Sequence, residues 1–172
     1  GIPSIVYGFF GLMVIVPIMR DLFGGNGKSV LTASILLGIM ILPTLISVGE
    51  ASIRAVPESY YEGALALGAT PEETVFKVML PAAKSGLTAG VILAIDRSIG
   101  EAMAVSMVAG NQPIIPDSLL SGVRTLTANI VLEMGYAADM HREALLATGV
   151  VLFIFILLIN LSFSLLRRRD DK

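Results

Sequence analysis

The chain has 172 residues, of which 55% are hydrophobic and 15% are charged, and its formal net charge is −2. Average globular domains are about a quarter charged, so a soluble protein of this composition would lack the polar side chains needed to cover its surface. The composition therefore predicts an integral membrane protein and argues against a nucleic-acid-binding protein. Because cysteine is absent, a disulfide framework and a thiolate metal site are both excluded.

The N-terminal sequence Gly1-Ile2-Pro3-Ser4 lacks an initiator methionine, a basic region and a cleavage site, so it is not a signal peptide. We therefore expect the chain to begin partway through a longer protein. Residues 1–172 are interpreted as a single transmembrane domain that is truncated at its N-terminus.

Four apolar segments are long enough to cross a bilayer as helices, which takes about 20 residues. The predicted spans are at about 5–19, 30–48, 87–108 and 145–166. Gly8 and Gly11 in the first span favour close helix contact, and Pro43 in the second predicts a kink. The pattern predicts an all-α, polytopic helical bundle.

Two polar inserts separate the later spans, one at 50–84 and one at 109–143. Basic residues are enriched on the cytoplasmic side of membrane proteins. A cytoplasmic C-terminus places seven basic residues on that side and four on the other. The seven are Arg54, Lys77, Lys84, Arg167, Arg168, Arg169 and Lys172. We therefore expect a cytoplasmic C-terminus, a cytoplasmic loop at 50–84 and an extracytoplasmic loop at 109–143.

The cytoplasmic insert begins with the signals of a short helix. Pro57 and Glu58 suit its first turn, because proline is tolerated there and an acid faces the positive end of the helix dipole. The helix is expected to run to Leu67, with Gly68 as a left-handed C-cap.

A second short helix is predicted directly after this glycine. Thr70 and Glu73 have the spacing of a capping box, and Pro71 occupies the first helical position. This helix is expected to end before Pro81. The insert therefore predicts two helices joined by a tight glycine turn.

This segment resembles the EAA loop of bacterial ABC-importer permeases, in which Glu-Ala-Ala precedes a glycine and a more distant Leu-Pro. The matching positions are Glu62, Gly63, Ala64, Gly68, Val78, Leu80 and Pro81, with Gly63 and Val78 as mild departures. In that family the loop forms the coupling helices that seat in a groove of the cytoplasmic ATPase. The alternative is an ordinary amphipathic interfacial helix, which needs neither the glycine turn nor the Leu-Pro.

Two further stretches resemble phosphate-importer permeases of the PstC type. They are Gly1–Gly8 and Ile95–Val105, the second resembling Gly-Arg-Ala-Ile-Gly-Glu-Thr-Met-Ala-Val, with Asp96 replacing a glycine and Ala102 a threonine. The resemblance covers nearly the whole chain and implies a type I ABC importer permease in a bacterial inner membrane. It also implies three partners: a second, PstA-like permease, a cytoplasmic ATPase dimer and an extracytoplasmic phosphate-binding protein. Proteins of that family are longer at the N-terminus, so earlier spans are expected to be missing.

Arg97 and Glu101 fall near the middle of the predicted third span, where an ionisable side chain costs at least about 2.5 kcal/mol on insertion scales. Their spacing places them on one helix face, where they can pair, whereas Asp96 lies about 100° around the helix from Arg97. The functional hypothesis is that Arg97 attracts phosphate along the substrate path and Glu101 holds Arg97 in place. The alternative is that the two charges neutralise each other or pair with a partner subunit.

The sequence carries no motif for catalysis, a cofactor or a metal. Gly24–Ser29 ends in Gly-Lys-Ser, but its glycines lack the spacing of an ATP-binding loop, so ATP and Mg²⁺ are expected on the partner ATPase. His141 has no neighbouring ligand set. We therefore expect a transport subunit and not an enzyme. The competing hypotheses are a permease of the same family for sulfate or an amino acid, and a channel or structural membrane protein without an ATPase partner.

Overall fold

The computed structural model describes residues 2–170, with side chains described as far as Ser164. Within this range the regular secondary structure is helical, apart from an isolated bridge between Gly110 and Val123. The helices are α1 (Ser4–Phe23), α2 (Val30–Arg54), α3 (Glu58–Ala66), α4 (Pro71–Ala82), α5 (Lys84–Ile99), α6 (Met103–Val108), α7 (Leu126–Glu133) and α8 (Asp139–Asp170). The predicted all-α architecture is confirmed.

Two of these helices contain a π-helical turn. In α1 it lies at Gly11–Ile15, between the α-helical parts Ser4–Phe10 and Val16–Phe23. In α4 it lies at Val75–Met79, between Pro71–Thr74 and Leu80–Ala82. Single π turns widen a helix locally and are frequent at functional sites.

Three helical segments are long and apolar enough to cross a membrane: Ser4–Phe23, Val30–Arg54 and Asp139–Ser164. These confirm the first, second and fourth predicted spans, with longer bounds than the sequence suggested. A fourth span exists if α4 and α5 count as one broken helix, which bends by 69° at Ala83. Helix α2 continues on both sides of Pro43.

The prediction of one continuous third span over 87–108 is wrong. Helix α5 ends at Ile99, and α6 begins at Met103. Gly100 has low helix propensity, and the Glu101 side chain hydrogen-bonds the backbone at the start of α6, which stabilises the break.

The described residues form two compact units. The first takes in the chain as far as Ile41, together with Arg97–Leu158. Its core is formed by one face of α1 with α6 and the first half of α2, and consists of Ile15, Val16, Met19, Ala33, Leu36, Ala104, Val105, Val108 and Ala109. A Cβ on Gly8 would lie 2.7 Å from the sulfur of Met107, and one on Gly11 would lie 2.8 Å from Leu36 Cδ2. The predicted close helix contact at both glycines is confirmed.

The second unit takes in Leu42–Asp96 and the described chain from Ile159 onward. Within it, α5 lies directly against the second half of α2. A Cβ on Gly86 would lie 2.6 Å from Ser52 Oγ, and one on Gly90 would lie 2.8 Å from Val48 Cγ1. Small residues on this face of α5 therefore set the distance between the two helices.

Candidate functional site

The turn between α3 and α4 is closed by backbone hydrogen bonds around Gly68. The Gly68 amide donates to the Leu65 carbonyl at 2.9 Å, and the Ala69 amide donates to the Ala64 carbonyl at 3.1 Å. This pair of bonds is a Schellman motif, which requires a left-handed backbone at the first of the two donor residues. Gly68 has φ +89°, as the sequence predicts.

Helix α4 begins with the predicted capping box. Thr70 Oγ1 accepts a hydrogen bond from the Glu73 amide at 3.2 Å, and the Thr70 amide donates to Glu73 Oε2 at 3.3 Å. Glu73 also accepts from Lys77 Nζ at 2.9 Å, one turn further along the helix. The start of α4 is therefore well defined by its own sequence.

The prediction that this helix ends before Pro81 is wrong, since α4 continues to Ala82. The π turn at Val75–Met79 immediately precedes the proline: the Leu80 amide donates to the Val75 carbonyl, five residues earlier. The wider turn makes room for a proline ring, which in a regular α-helix clashes with the carbonyl four residues before it. Beyond the proline, the Ala83 amide donates to the Met79 carbonyl at 2.9 Å, so regular α-helical hydrogen bonding resumes after Pro81, which itself has no amide hydrogen to donate.

The α3–α4 pair exposes large apolar side chains although it lies in a polar insert. Leu67 in the turn is 91% exposed, and Phe76 in α4 is 70% exposed. Thr74 and Met79 are buried on the inner side of α4. Glu62 is exposed, and among the described residues it has no ion-pair partner. Exposed apolar side chains grouped in this way are typical of protein interaction surfaces.

Arg97 and Glu101 do not form the predicted pair. Arg97 lies exposed in the last turn of α5, whereas Glu101 lies beyond the end of that helix. Glu101 Oε1 accepts a hydrogen bond from the Ala104 amide at 3.0 Å, and its backbone carbonyl accepts from Thr127 Oγ1 at 3.1 Å. Glu101 therefore joins α6 to α7, and the Arg97 guanidinium has no ion pair with any residue of the described chain.

A cavity of about 220 Å³ in the first unit borders Glu101. Four hydroxyl side chains also line it, and these are Ser34, Ser98, Thr125 and Thr127. The remaining lining residues are mainly apolar and come from α2, α6 and the segment before α7. The site thus combines hydroxyl groups with one carboxylate in a small, half-open space.

A second polar cluster joins the loop after α6 to the junction of α7 and α8. Arg124 donates to Glu133 Oε1 at 2.7 Å and to the Asn111 carbonyl at 3.1 Å. His141 Nε2 lies 3.6 Å from Glu133 Oε2, and the rings of His141 and Tyr136 meet edge to face. A hydrogen bond from Tyr136, with further contributions from Arg124 and His141, holds the pKa of Glu133 below its ordinary value; burial partly opposes this shift.

Sequence reasoning missed this cluster and one further polar contact. In the sequence, Arg124 is one of the four basic residues expected on the extracytoplasmic side, and His141 has no neighbouring metal-ligand set. Asn160, in the apolar run of α8, lies beside Asp96 (described below). An isolated amide among aliphatic residues was the available signal for Asn160. The basic residues Arg167, Arg168 and Arg169 have undescribed side chains, and Lys172 lies outside the described residues.

Comparison with known proteins gives a consistent result. Residues 1–171 match the family model described as the binding-protein-dependent transport system inner membrane component. A probable ABC transporter permease protein of Bacillus subtilis, YqgH, is 43% identical over 167 residues, covering 93% of this chain and 54% of that protein. The phosphate transport system permease protein PstC of Xylella fastidiosa is 38% identical over 189 aligned positions, covering 97% of this chain and 58% of its own length.

Among solved structures, an inward-facing form of the MetNI methionine ABC transporter is similar, with a TM-score of 0.72 and 23% identity. The match covers 98% of this chain and 68% of that one. At this identity the likeness concerns the fold, which is that of a type I ABC importer permease. This chain spans a little over half the length of the curated relatives it matches.

Proposed function

This chain belongs to the family of binding-protein-dependent transport system inner membrane components, and from that membership we propose that it is the permease part of an ATP-driven importer for phosphate. The substrate proposal is supported by relatives that are named phosphate transport permeases and align over nearly all of this chain. ATP hydrolysis is then the task of a separate ATPase subunit that binds ATP and Mg²⁺.

The observation that carries the proposal is the α3–α4 pair. Its turn is fixed by Gly68, its second helix by the Thr70–Glu73 capping box, and its outer surface presents Leu67 and Phe76. A rigid pair with an apolar exterior, placed in a polar insert between membrane spans, suits docking to an aqueous protein. The residues assigned to ATPase coupling are Glu62, Gly63, Ala64, Gly68, Leu80 and Pro81.

The proposed substrate path includes Arg97 and Glu101, with roles that follow from their geometry. Because Glu101 is engaged at the start of α6, it does not neutralise Arg97. An exposed guanidinium without a counter-ion among the described side chains can attract an anion and bind it bidentately. The Glu101 carboxylate lies at the break between α5 and α6, and its negative charge repels an anion bound nearby, which limits how tightly that anion is held.

The proposed assembly has three partners. A second, PstA-like permease would complete the translocation path, an ATPase dimer would bind the loop at 50–84 from the cytoplasm, and a phosphate-binding protein would dock on the loop at 109–143. The C-terminus is then cytoplasmic, and residues 1–172 belong to a single permease domain.

The test is uptake of labelled phosphate by cells whose only high-affinity route is the full-length protein, with excess sulfate as competitor. We expect uptake that resists sulfate and is lost in Gly68→Asp, because an aspartate strains the left-handed turn and adds a charge at the docking surface. Gly25→Asp is the matched control: Gly25 also has a positive φ, of +69°, nothing lies near its Cβ, and it stands outside the loop at 50–84.

Three outcomes would each contradict a part of the proposal. Correct membrane insertion without phosphate uptake would point to another solute of the same family, such as sulfate or an amino acid. Full-length protein that purifies without any ATPase would instead favour a channel or a structural membrane protein. Undiminished uptake by Gly68→Asp would remove the coupling role from this turn.

A further inference from the structure

Asp96 in α5 and Asn160 in α8 form a hydrogen-bonded pair within the second unit. The Asn160 amide nitrogen donates to both carboxylate oxygens of Asp96, at 2.6 and 2.8 Å. The opposite amide orientation would set the Asn160 oxygen against the carboxylate, so the nitrogen faces Asp96. Both residues are half-buried.

The pair lies on a different side of α5 from the one that meets α2. Gly86 and Gly90, four residues apart, both lie against α2. Asp96 is six residues beyond Gly90, which places it about 120° around the helix from that glycine. Within the second unit, α5 is therefore held by α2 on one face and by Asn160 on another.

Asn160 is an amide in a part of α8 whose exposed side chains are mainly apolar. The exposed large residues of α8 are Met140, Leu146, Val150, Val151, Phe153, Ile154, Phe155, Leu157, Leu158 and Leu161. Apolar packing alone gives such a helix little preference for one rotational setting when lipid is the alternative neighbour. A hydrogen bond to a carboxylate is directional and supplies that preference.

We propose that Asp96 and Asn160 form an intramembrane clamp that fixes the rotation of α5 and thereby directs the Arg97 side chain. Arg97 follows Asp96 immediately, so it points about 100° away from the clamped face. Asp96 is thus a positioning residue. Its carboxylate accepts hydrogen bonds from the Asn160 amide on a face of α5 different from the face that carries Arg97. The role toward Arg97 rests on the proposed function, whereas the clamp itself does not.

The clamp is tested first by cross-linking, without reference to transport. The 172 residues contain no cysteine, so Asp96→Cys with Asn160→Cys introduces the only thiol pair among them. In the full-length protein in membranes, with any cysteine outside these residues replaced by serine, a short bifunctional thiol reagent should cross-link this pair. The matched control is Asp96→Cys with Leu161→Cys, since Leu161 is the adjacent exposed residue on α8. Cross-linking of the control pair at an equal rate, or none at 96 and 160, overturns the clamp.

The positioning role is tested by a reciprocal exchange in the uptake assay. Asn160→Asp places two carboxylates face to face and should raise the apparent KM for phosphate by about tenfold at equal amounts of inserted protein. Adding Asp96→Asn restores an amide–carboxylate pair and should return KM to within about twofold of the unmodified value. An exchange variant no better than Asn160→Asp overturns the positioning role.

The two tests also separate this inference from the proposed function. If the unmodified protein takes up no phosphate, the proposed function fails and the role toward Arg97 fails with it. The cross-linking result then still decides whether α5 and α8 are clamped at Asp96 and Asn160.

Discussion

At the scale of single residues, Arg97 and Glu101 have separate tasks. Glu101 accepts a hydrogen bond from the Ala104 amide and stabilises the start of α6. Arg97 retains its positive charge without a partner among the described side chains. A cation in a membrane protein that no neighbour neutralises is costly, and the cost is explained if a passing anion is its partner.

The Arg97 role predicts a graded response to substitution. Arg97→Gln removes the charge and should reduce phosphate uptake by about a hundredfold, whereas Arg97→Lys keeps the charge without the planar fork and should reduce it by about tenfold. The measurement is the initial uptake rate at equal amounts of inserted protein. Arg20→Gln, at an exposed arginine beside Asp21, is the control and should leave uptake nearly unchanged. Undiminished uptake by Arg97→Lys would exclude bidentate binding, and undiminished uptake by Arg97→Gln would exclude the charge itself.

Glu133 predicts a pH dependence of stability in the region outside the spans. The pKa of Glu133 in the folded protein lies below the ordinary value for a glutamate because of the hydrogen bond from Tyr136, with Arg124 and His141 contributing. Because the pKa of Glu133 is lower in the folded than in the unfolded protein, its carboxylate stabilises the fold at pH values above the unfolded pKa. This contribution is lost as the pH falls through the folded pKa. Glu133→Gln should therefore lower the thermal midpoint of the purified full-length protein at pH 7, and this difference should shrink toward pH 3.

Glu143→Gln is the matched control for that measurement, because Glu143 is exposed on α8 and has no ion-pair partner in the described part of the chain. Its midpoint should follow that of the unmodified protein across the same pH range. A pH-independent gap between Glu133→Gln and the unmodified protein would mean that Glu133 acts through packing and not through its charge.

At the scale of elements, the α3–α4 pair owes its geometry to a few local interactions. Thr70→Ala removes one side of the capping box, a loss of about 1 kcal/mol in helix stability. The first turn of α4 should then open more often, and hydrogen exchange of the Glu73 amide in the purified protein should accelerate by about fivefold. Thr70→Ser retains a hydroxyl cap and should exchange at nearly the rate of the unmodified protein. Equal acceleration in both variants would assign the effect to the lost methyl group.

The parts of the fold that follow from sequence are those whose causes lie within a few residues. The Gly68 turn and the Thr70 box depend on backbone geometry and neighbouring side chains, and both were predictable. The break after Ile99 was not, because Ala102–Val108 remains as apolar as a span. Recognising that break requires knowing that Glu101 bonds the Ala104 amide and the Thr127 hydroxyl. The pairing of Asp96 with Asn160 joins positions 64 residues apart, so the amide of Asn160 stands out in the sequence but nothing local identifies Asp96 as its partner.

At the scale of the whole molecule, the family membership and the long apolar helices both indicate a multi-pass membrane protein. The loop assignments make a testable statement about sidedness. A fluorescent protein fused after Lys172 should fluoresce, because that reporter folds in the cytoplasm. Alkaline phosphatase inserted after Gly135, in the loop at 109–143, should be active, because that enzyme matures outside the cytoplasm. The reverse pattern would invert the topology and place 50–84 away from any cytoplasmic ATPase.

Helix α8 has 32 residues and at 1.5 Å per residue is about 48 Å long. The hydrocarbon layer of a typical bilayer is about 30 Å thick, so the charged ends of an untilted α8 extend past it, while its apolar run at 145–166 is about 33 Å long. An apolar run slightly longer than the layer accommodates changes in lipid length by tilting, at a cost of fractions of a kcal/mol per Å. The protein should therefore keep α8 inserted across lipids of different acyl-chain length, which makes this span a source of tolerance to the membrane that surrounds it.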